Sequence, residues 1–182
     1  MTTTKATTTD TTVQVPPIGR YEIDPRESTV AFRGRHLYGL APVTGTVAVA
    51  RGVIDVVDPI AGSRVAVDLD AGSFHTGGGH RDRDVRSARF LDASRYPFIS
   101  FASERLERTG DGWTLVGTLT VRDVERPVRL AIERCAIQPG SPGCIVVEAT
   151  TRIDRTKFGL TAARGMAGRH LNLSLRVTAV RR

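Results

Sequence analysis

Leu171-Asn172-Leu173-Ser174-Leu175-Arg176-Val177-Thr178 is the stretch on which the fold turns. Apolar and polar side chains alternate through all eight positions. A period of two places successive side chains on opposite faces of an extended chain, so this is a strand with one buried and one wet face. The same alternation recurs in Val65-Ala66-Val67-Asp68-Leu69, in Val128-Arg129-Leu130-Ala131-Ile132, and through Trp113, Leu115, Gly117, Leu119 and Val121. Asp24-Pro25, Arg51-Gly52, Asp58-Pro59, Gly110-Asp111-Gly112, Arg122-Asp123 and Pro139 to Gly143 supply the turns between such runs. Strands are expected near 19–24, 28–37, 43–57, 62–71, 97–108, 112–122, 125–137, 144–155 and 170–180. Nearly every strand has one apolar face, which must be covered, so the chain is all-β and folds as a barrel or a sandwich. Periodicity alone does not choose between these, nor between a hollow and a filled interior.

One segment breaks the pattern. Within Gly77 to Tyr96, Asp82 or Asp84 suits the cap of a short helix near 82–94 that ends before Pro97. The Thr-rich residues 1–18 cannot bury apolar surface and read as a disordered tail, leaving 19–182 as one domain. They contain no apolar run resembling a secretory signal, and nowhere do 18 apolar residues follow one another, so the expected compartment is the cytoplasm. Cys135 and Cys144 flank a hairpin loop; two free thiols are favoured over a disulfide in a reducing compartment.

The net charge of +7 is nearly all arginine. Pairs such as Glu104-Arg105 and Glu133-Arg134 intersperse it with acids, which favours coding-sequence composition over a nucleic-acid partner. Aromatic content of 5% gives no stacking platform for bases. The four histidines do not assemble a metal set by spacing, and no nucleophile elbow or zinc-protease motif is present. No cofactor is expected, and no nucleophile-and-base pair can be nominated from spacing. The enzymatic alternative would use His36 with an acid such as Asp24. A second alternative is a basic surface that binds nucleic acid or an anionic membrane.

Tyr21-Glu22-Ile23-Asp24-Pro25 with Ser28 to Phe32 and His36, then Arg81-Asp82 with Val85 to Asp92 and Tyr96 to Ser103, follow one another in order. Gly117 to Val121 with Pro127-Val128, and Ile153-Asp154-Arg155 with Phe158-Gly159-Leu160, come next. In this order the chain resembles the YceI-like family from about residue 19 to 180. The resemblance implies a closed antiparallel lipocalin-like barrel of about eight strands, a lumen for a polyisoprenoid or another fatty-chain lipid, and no catalysis. It also leaves room for a homodimer. Inward positions expected to meet such a ligand are Phe32, Val49, Val67, Leu69, Phe101, Leu119, Leu130, Val147, Leu173 and Leu175. His36 and Ser103 are expected near the mouth, and Arg81, Arg83 and Arg86 are candidates for a headgroup. Asp123-Val124-Glu125-Arg126 departs from the family, which usually has a glycine-containing turn there.

Overall fold

A computed structural model of the chain describes residues 13–36, 39–110, 112–163 and 166–182. The first twelve residues of the expected tail lie outside these. The strands are β1 (Gly19–Ile23), β2 (Thr29–His36), β3 (Ala41–Val47), β4 (Val49–Val56) and β5 (Arg64–Asp70). After helix α1 (Gly79–Arg86) come β6 (Phe98–Thr109), β7 (Gly112–Val121), β8 (Val124–Gln138), β9 (Ser141–Asp154) and β10 (His170–Arg181).

All pairings between these strands are antiparallel. From β4 to β10 the strands with consecutive numbers are neighbours, and β1 closes the ring by pairing with both β4 and β10. Closure removes the free edges that an open sheet would present. β1 and β2 lie one after the other along the same edge of β10. Tyr21 to Ile23 face Arg181 to Ala179, and Thr29 to Arg33 face Arg176 to Asn172. β4 and β3 repeat this against β1 and β2. The ten labelled pieces therefore make a closed eight-stranded barrel. The strand expected over 43–57 is broken at Ala48, whose N–H donates to the Ser73 hydroxyl at 2.7 Å while its carbonyl accepts from Asp70 N at 2.9 Å.

Alternation puts Val30, Leu115, Leu130 and Ile145 inside the barrel. Register shifts interrupt it in β4, β6 and β8. The bulge between Ile132 and Arg134 turns Arg134 outward and Cys135 inward; that between Ser103 and Arg105 brings Leu106 inward in place of Arg105. Opposite the second bulge sits Gly117, where a Cβ would come within 2.3 Å of the Ala102 carbonyl oxygen. Only glycine lets the two strands approach this closely.

The helix starts earlier than the sequence suggests and stops at Arg86. Asp82 lies inside it and caps nothing. Its buried carboxylate instead accepts from Thr76 N and Thr76 Oγ1, at 3.0 and 2.6 Å, and stands 3.2 Å from His75 Nδ1. Burial alone would raise the pKa of this carboxyl; the Thr76 donors, with His75 and Arg86, outweigh it and hold it low. The cysteines are free. Cys135 faces Val147 across the hairpin and Cys144 faces Val180, so they are not opposite one another.

At one end of the barrel, α1 and the loop after β9 form a plug. Ala71, Leu91, Leu119, Val121, Phe158 and Leu160 are its buried members. Phe74 packs beside them and stacks on Phe32, with ring centroids 4.8 Å apart. Arg155 fastens the loop: its buried guanidinium donates to the carbonyls of Leu160, Ala162, Ala167 and Gly168. Gly159, at φ 73°, takes the left-handed turn that reverses the chain after Phe158.

At the opposite end the chain before β1 crosses the barrel mouth as a strap. Gln14 N donates to Cys135 O at 2.8 Å, and Gln14 Oε1 accepts from Ile137 N at 3.0 Å. Tyr21, fully buried, donates its hydroxyl to Pro17 O at 2.7 Å.

Candidate ligand-binding lumen

Between the strap and the plug lies a cavity of about 190 Å³. Its wall comes from every strand except β3, with Val13 to Pro16 of the strap. Nearly all of it is hydrocarbon. The few polar side chains on it turn almost no polar surface toward the cavity. Gln14 accepts from Ile137 N, the Ser63 hydroxyl accepts from Val57 N at 3.1 Å, and Thr151 donates to Arg129 O at 2.7 Å. Cys135 adds a neutral thiol, since burial pushes its pKa up to about 11.

That shift has a measurable consequence. Relative to the ordinary value of 9.0, about two units leave roughly 100-fold less thiolate at pH 8. Iodoacetamide is expected to alkylate Cys135 of the folded protein at least tens of times more slowly than the urea-unfolded chain, on the order of that thiolate ratio. Intact-mass kinetics followed by peptide mapping would measure it, and equal rates would show that the thiol is not enclosed.

Of the residues expected to meet a ligand, Val49, Val67, Leu69, Phe101, Leu119, Leu130, Val147, Leu173 and Leu175 all line this cavity. Phe32 does not: it is buried against Phe74 behind the plug. Ser103 is also off the wall, buried at the bulge, where its hydroxyl accepts from Val65 N at 2.7 Å. His36 sits at the end of β2 and bridges Ala167 through its backbone. Asp24 lies beside Thr178, whereas His36 lies beyond Arg33, which faces Asn172, so along β10 the two are roughly 30 Å apart and do not form an acid–base pair. Arg81 and Arg86 turn into their own loop, donating to Thr76 Oγ1 at 2.7 Å and Phe74 O at 2.9 Å, and Arg83 is exposed on α1. None of the three arginines reaches the lumen.

Several wall residues were not singled out as ligand contacts from sequence. Trp113, Leu115 and Val65 share the alternation of residues that were, so the signal for them was present. Leu106 and Cys135 reach the wall only because of the bulges, and the strap residues carry no periodic signal at all.

A profile of the family described as YceI-like domain matches residues 21–179, which span the barrel from β1 to β10. The chain belongs to the YceI-like family. A UPF0312 protein of Serratia proteamaculans is 30% identical over 167 residues, covering 88% of this chain and 86% of the relative. Protein YceI of Salmonella arizonae is 30% identical over 166 residues, covering 88% and 86%. Among solved structures, Burkholderia cenocepacia BcnA superposes with a TM-score of 0.74 at 17% identity, over 87% of this chain and all but 1% of its own. A polyisoprenoid binding domain from Saccharophagus degradans, described as implicated in plant cell wall breakdown, gives 0.64 at 13% identity over 89% and 98%. These structural likenesses concern the fold. Within the YceI-like frame, this chain makes its β7–β8 turn with Arg122-Asp123, and Arg122 adopts φ 59° without being glycine. No helix among the described residues is long and apolar enough to cross a membrane.

Proposed function

We propose that this YceI-like barrel is a carrier or store that holds the hydrocarbon part of a long-chain amphiphile, such as a polyisoprenoid, in its lumen without catalysis. The apolar cavity supports this reading most directly. Unfilled apolar space costs roughly 24 cal/mol per Å³, so about 190 Å³ forgoes about 5 kcal/mol of packing. That is as large as the whole net stability of many domains, and a ligand would restore it. Each CH₂ brought from water into such a wall contributes about 0.8 kcal/mol. The polyisoprenoid binding domain of Saccharophagus degradans, similar in fold, points to the same ligand class. The volume exceeds the ~150 Å³ apolar cavities that bind benzene, yet falls below the ~300 Å³ at which drug-sized pockets begin. A long chain therefore enters by displacing the strap at Val13 to Pro16, which lengthens the lumen.

Native mass spectrometry of the purified protein, followed by organic extraction, tests the proposal. A stoichiometric isoprenoid or acyl compound, or a mass shift and raised melting temperature on adding a prenyl alcohol, is the expected result. A clean apo mass with neither response to prenyl or acyl chains would overturn it.

A further inference from the structure

The net charge is not spread evenly over the fold. Along the chain the arginines look interspersed with acids, but residues 29–47 and 151–170 together carry seven basic residues and one acid, Asp154. Taking these from the chain's 26 basic and 19 acidic residues leaves 19 and 18, so all but one of the net positive charges belong to these two segments. The fold brings described parts of the two segments together; of their basic residues Arg155 is buried and Arg169 is paired with Asp154, which leaves Arg33, Arg35, Arg152 and Lys157 exposed. Across β9, β10 and β2, Arg152 pairs with Asn172, and Asn172 with Arg33, so the two arginines flank one asparagine. All three are exposed. Arg35, His170, Lys157 and Arg169 are exposed further toward the same end.

This cationic face ends in two aliphatic tips. Leu40, in the turn between β2 and β3, is 84% exposed, and Met166, in the loop before β10, is 49% exposed. His36 pairs with Ala41 and bridges Ala167, and Gly168 N donates to Arg35 O at 2.6 Å. The turn carrying Leu40 and the loop carrying Met166 are therefore held side by side, about two strand spacings or 10 Å apart.

We infer that this end of the barrel docks on an anionic lipid bilayer, with Leu40 and Met166 entering the acyl boundary and Arg33, Arg35, Arg152 and Lys157 at phosphate level. Neither feature suffices for stable binding by itself: two aliphatic tips bury too little, and surface charge alone is screened within a Debye length. Together they form the two-part anchor that peripheral proteins use. A nucleic acid would satisfy the arginines but leave both aliphatic side chains in water, which is why a bilayer is favoured. The inference does not depend on what the lumen holds.

The test is flotation of the full-length protein with vesicles of phosphatidylcholine alone and of phosphatidylcholine with phosphatidylglycerol, at low and high salt. Binding is expected only to the mixed vesicles and is expected to weaken with salt. Each surface arginine contributes about fivefold to such binding, so Arg33→Gln with Arg152→Gln should weaken it about 25-fold. Leu40→Ser with Met166→Ser should weaken it at least tenfold, although charge is untouched. An environment-sensitive fluorophore on Leu40→Cys should shift to the blue on the mixed vesicles, and it reads insertion directly even if a double variant is poorly folded. Absence of binding at low salt would overturn the inference. So would binding that survives the arginine changes, or a label that stays in water. Binding indifferent to Leu40 and Met166 and matched on single-stranded DNA would overturn it in favour of a phosphate-polymer surface.

Discussion

Replacing Arg155 by methionine is expected to lower the melting temperature by roughly 10 °C. The guanidinium is buried and donates to four backbone carbonyls of the loop that follows it. Methionine fills much of the same space and supplies no donor. A buried carbonyl left without a donor costs about 1–3 kcal/mol, and charged donors make the stronger bonds. Part of the loop would open to water and recover some of this, so about 3–5 kcal/mol in all is reasonable, and a chain of this length shifts by about 2–4 °C per kcal/mol. Arg155→Lys should rescue little, because one ammonium cannot span carbonyls from Leu160 to Gly168. The same loop carries Phe158 and Leu160 into the plug, so hydrogen exchange should rise first at amides 158–168. A melt indistinguishable from the parent protein would show that the loop is held by its other contacts.

Filling the lumen should abolish ligand capture while leaving the fold intact. Ala149 is buried on β9 in one cluster with Leu115 and Leu130, between Ile132 and Leu175 of the neighbouring strands, with its side chain on the cavity wall. Ala149→Phe places a ring where the ligand would lie. Losing room for four CH₂ groups removes about 3 kcal/mol, or roughly 200-fold in affinity for a prenyl alcohol. The ring occupies void rather than packed neighbours, so the melting temperature of the unliganded protein should hold or rise, short of the ~1–3 kcal/mol loss seen when a packed core is overfilled. Ser174→Phe, exposed on the outer face of β10, is the control and should bind as the parent does. Titration calorimetry with a short and a long prenyl alcohol would separate the cases. Equal affinity in Ala149→Phe would place the ligand elsewhere.

The barrel was legible because one period governs most of the chain. Leu173 and Leu175, or Leu115 and Leu119, announce a wet and a dry face wherever the strand is regular. Legibility fails where a bulge shifts the count: Cys135 takes an inward place that strict alternation would give to Arg134. It fails again where a polar side chain is buried for its geometry. Nothing about an arginine followed by Thr156-Lys157-Phe158 foretells that its donors will meet carbonyls up to thirteen residues away. The residues expected near the mouth show a related limit. His36 and Arg86 look like headgroup chemistry by residue type, but their partners are backbone groups of neighbouring loops. What closes the far end is a strap whose valines and prolines have no period to read.

A lumen wall without a spare polar handle also governs how a guest would sit. With Gln14 Oε1, Ser63 Oγ and Thr151 Oγ1 engaged, almost no polar surface turned inward and the Cys135 thiol neutral, little on the wall prefers one carbon of a hydrocarbon chain over the next. The guest is then free to slide along the barrel axis and keeps part of its translational entropy. Affinity would climb with chain length until the lumen is spanned and level off beyond it. Chains of unlike headgroup but equal length would compete as equals. In a crystal such a guest would show as a smooth, unkinked tube of density, averaged over its positions.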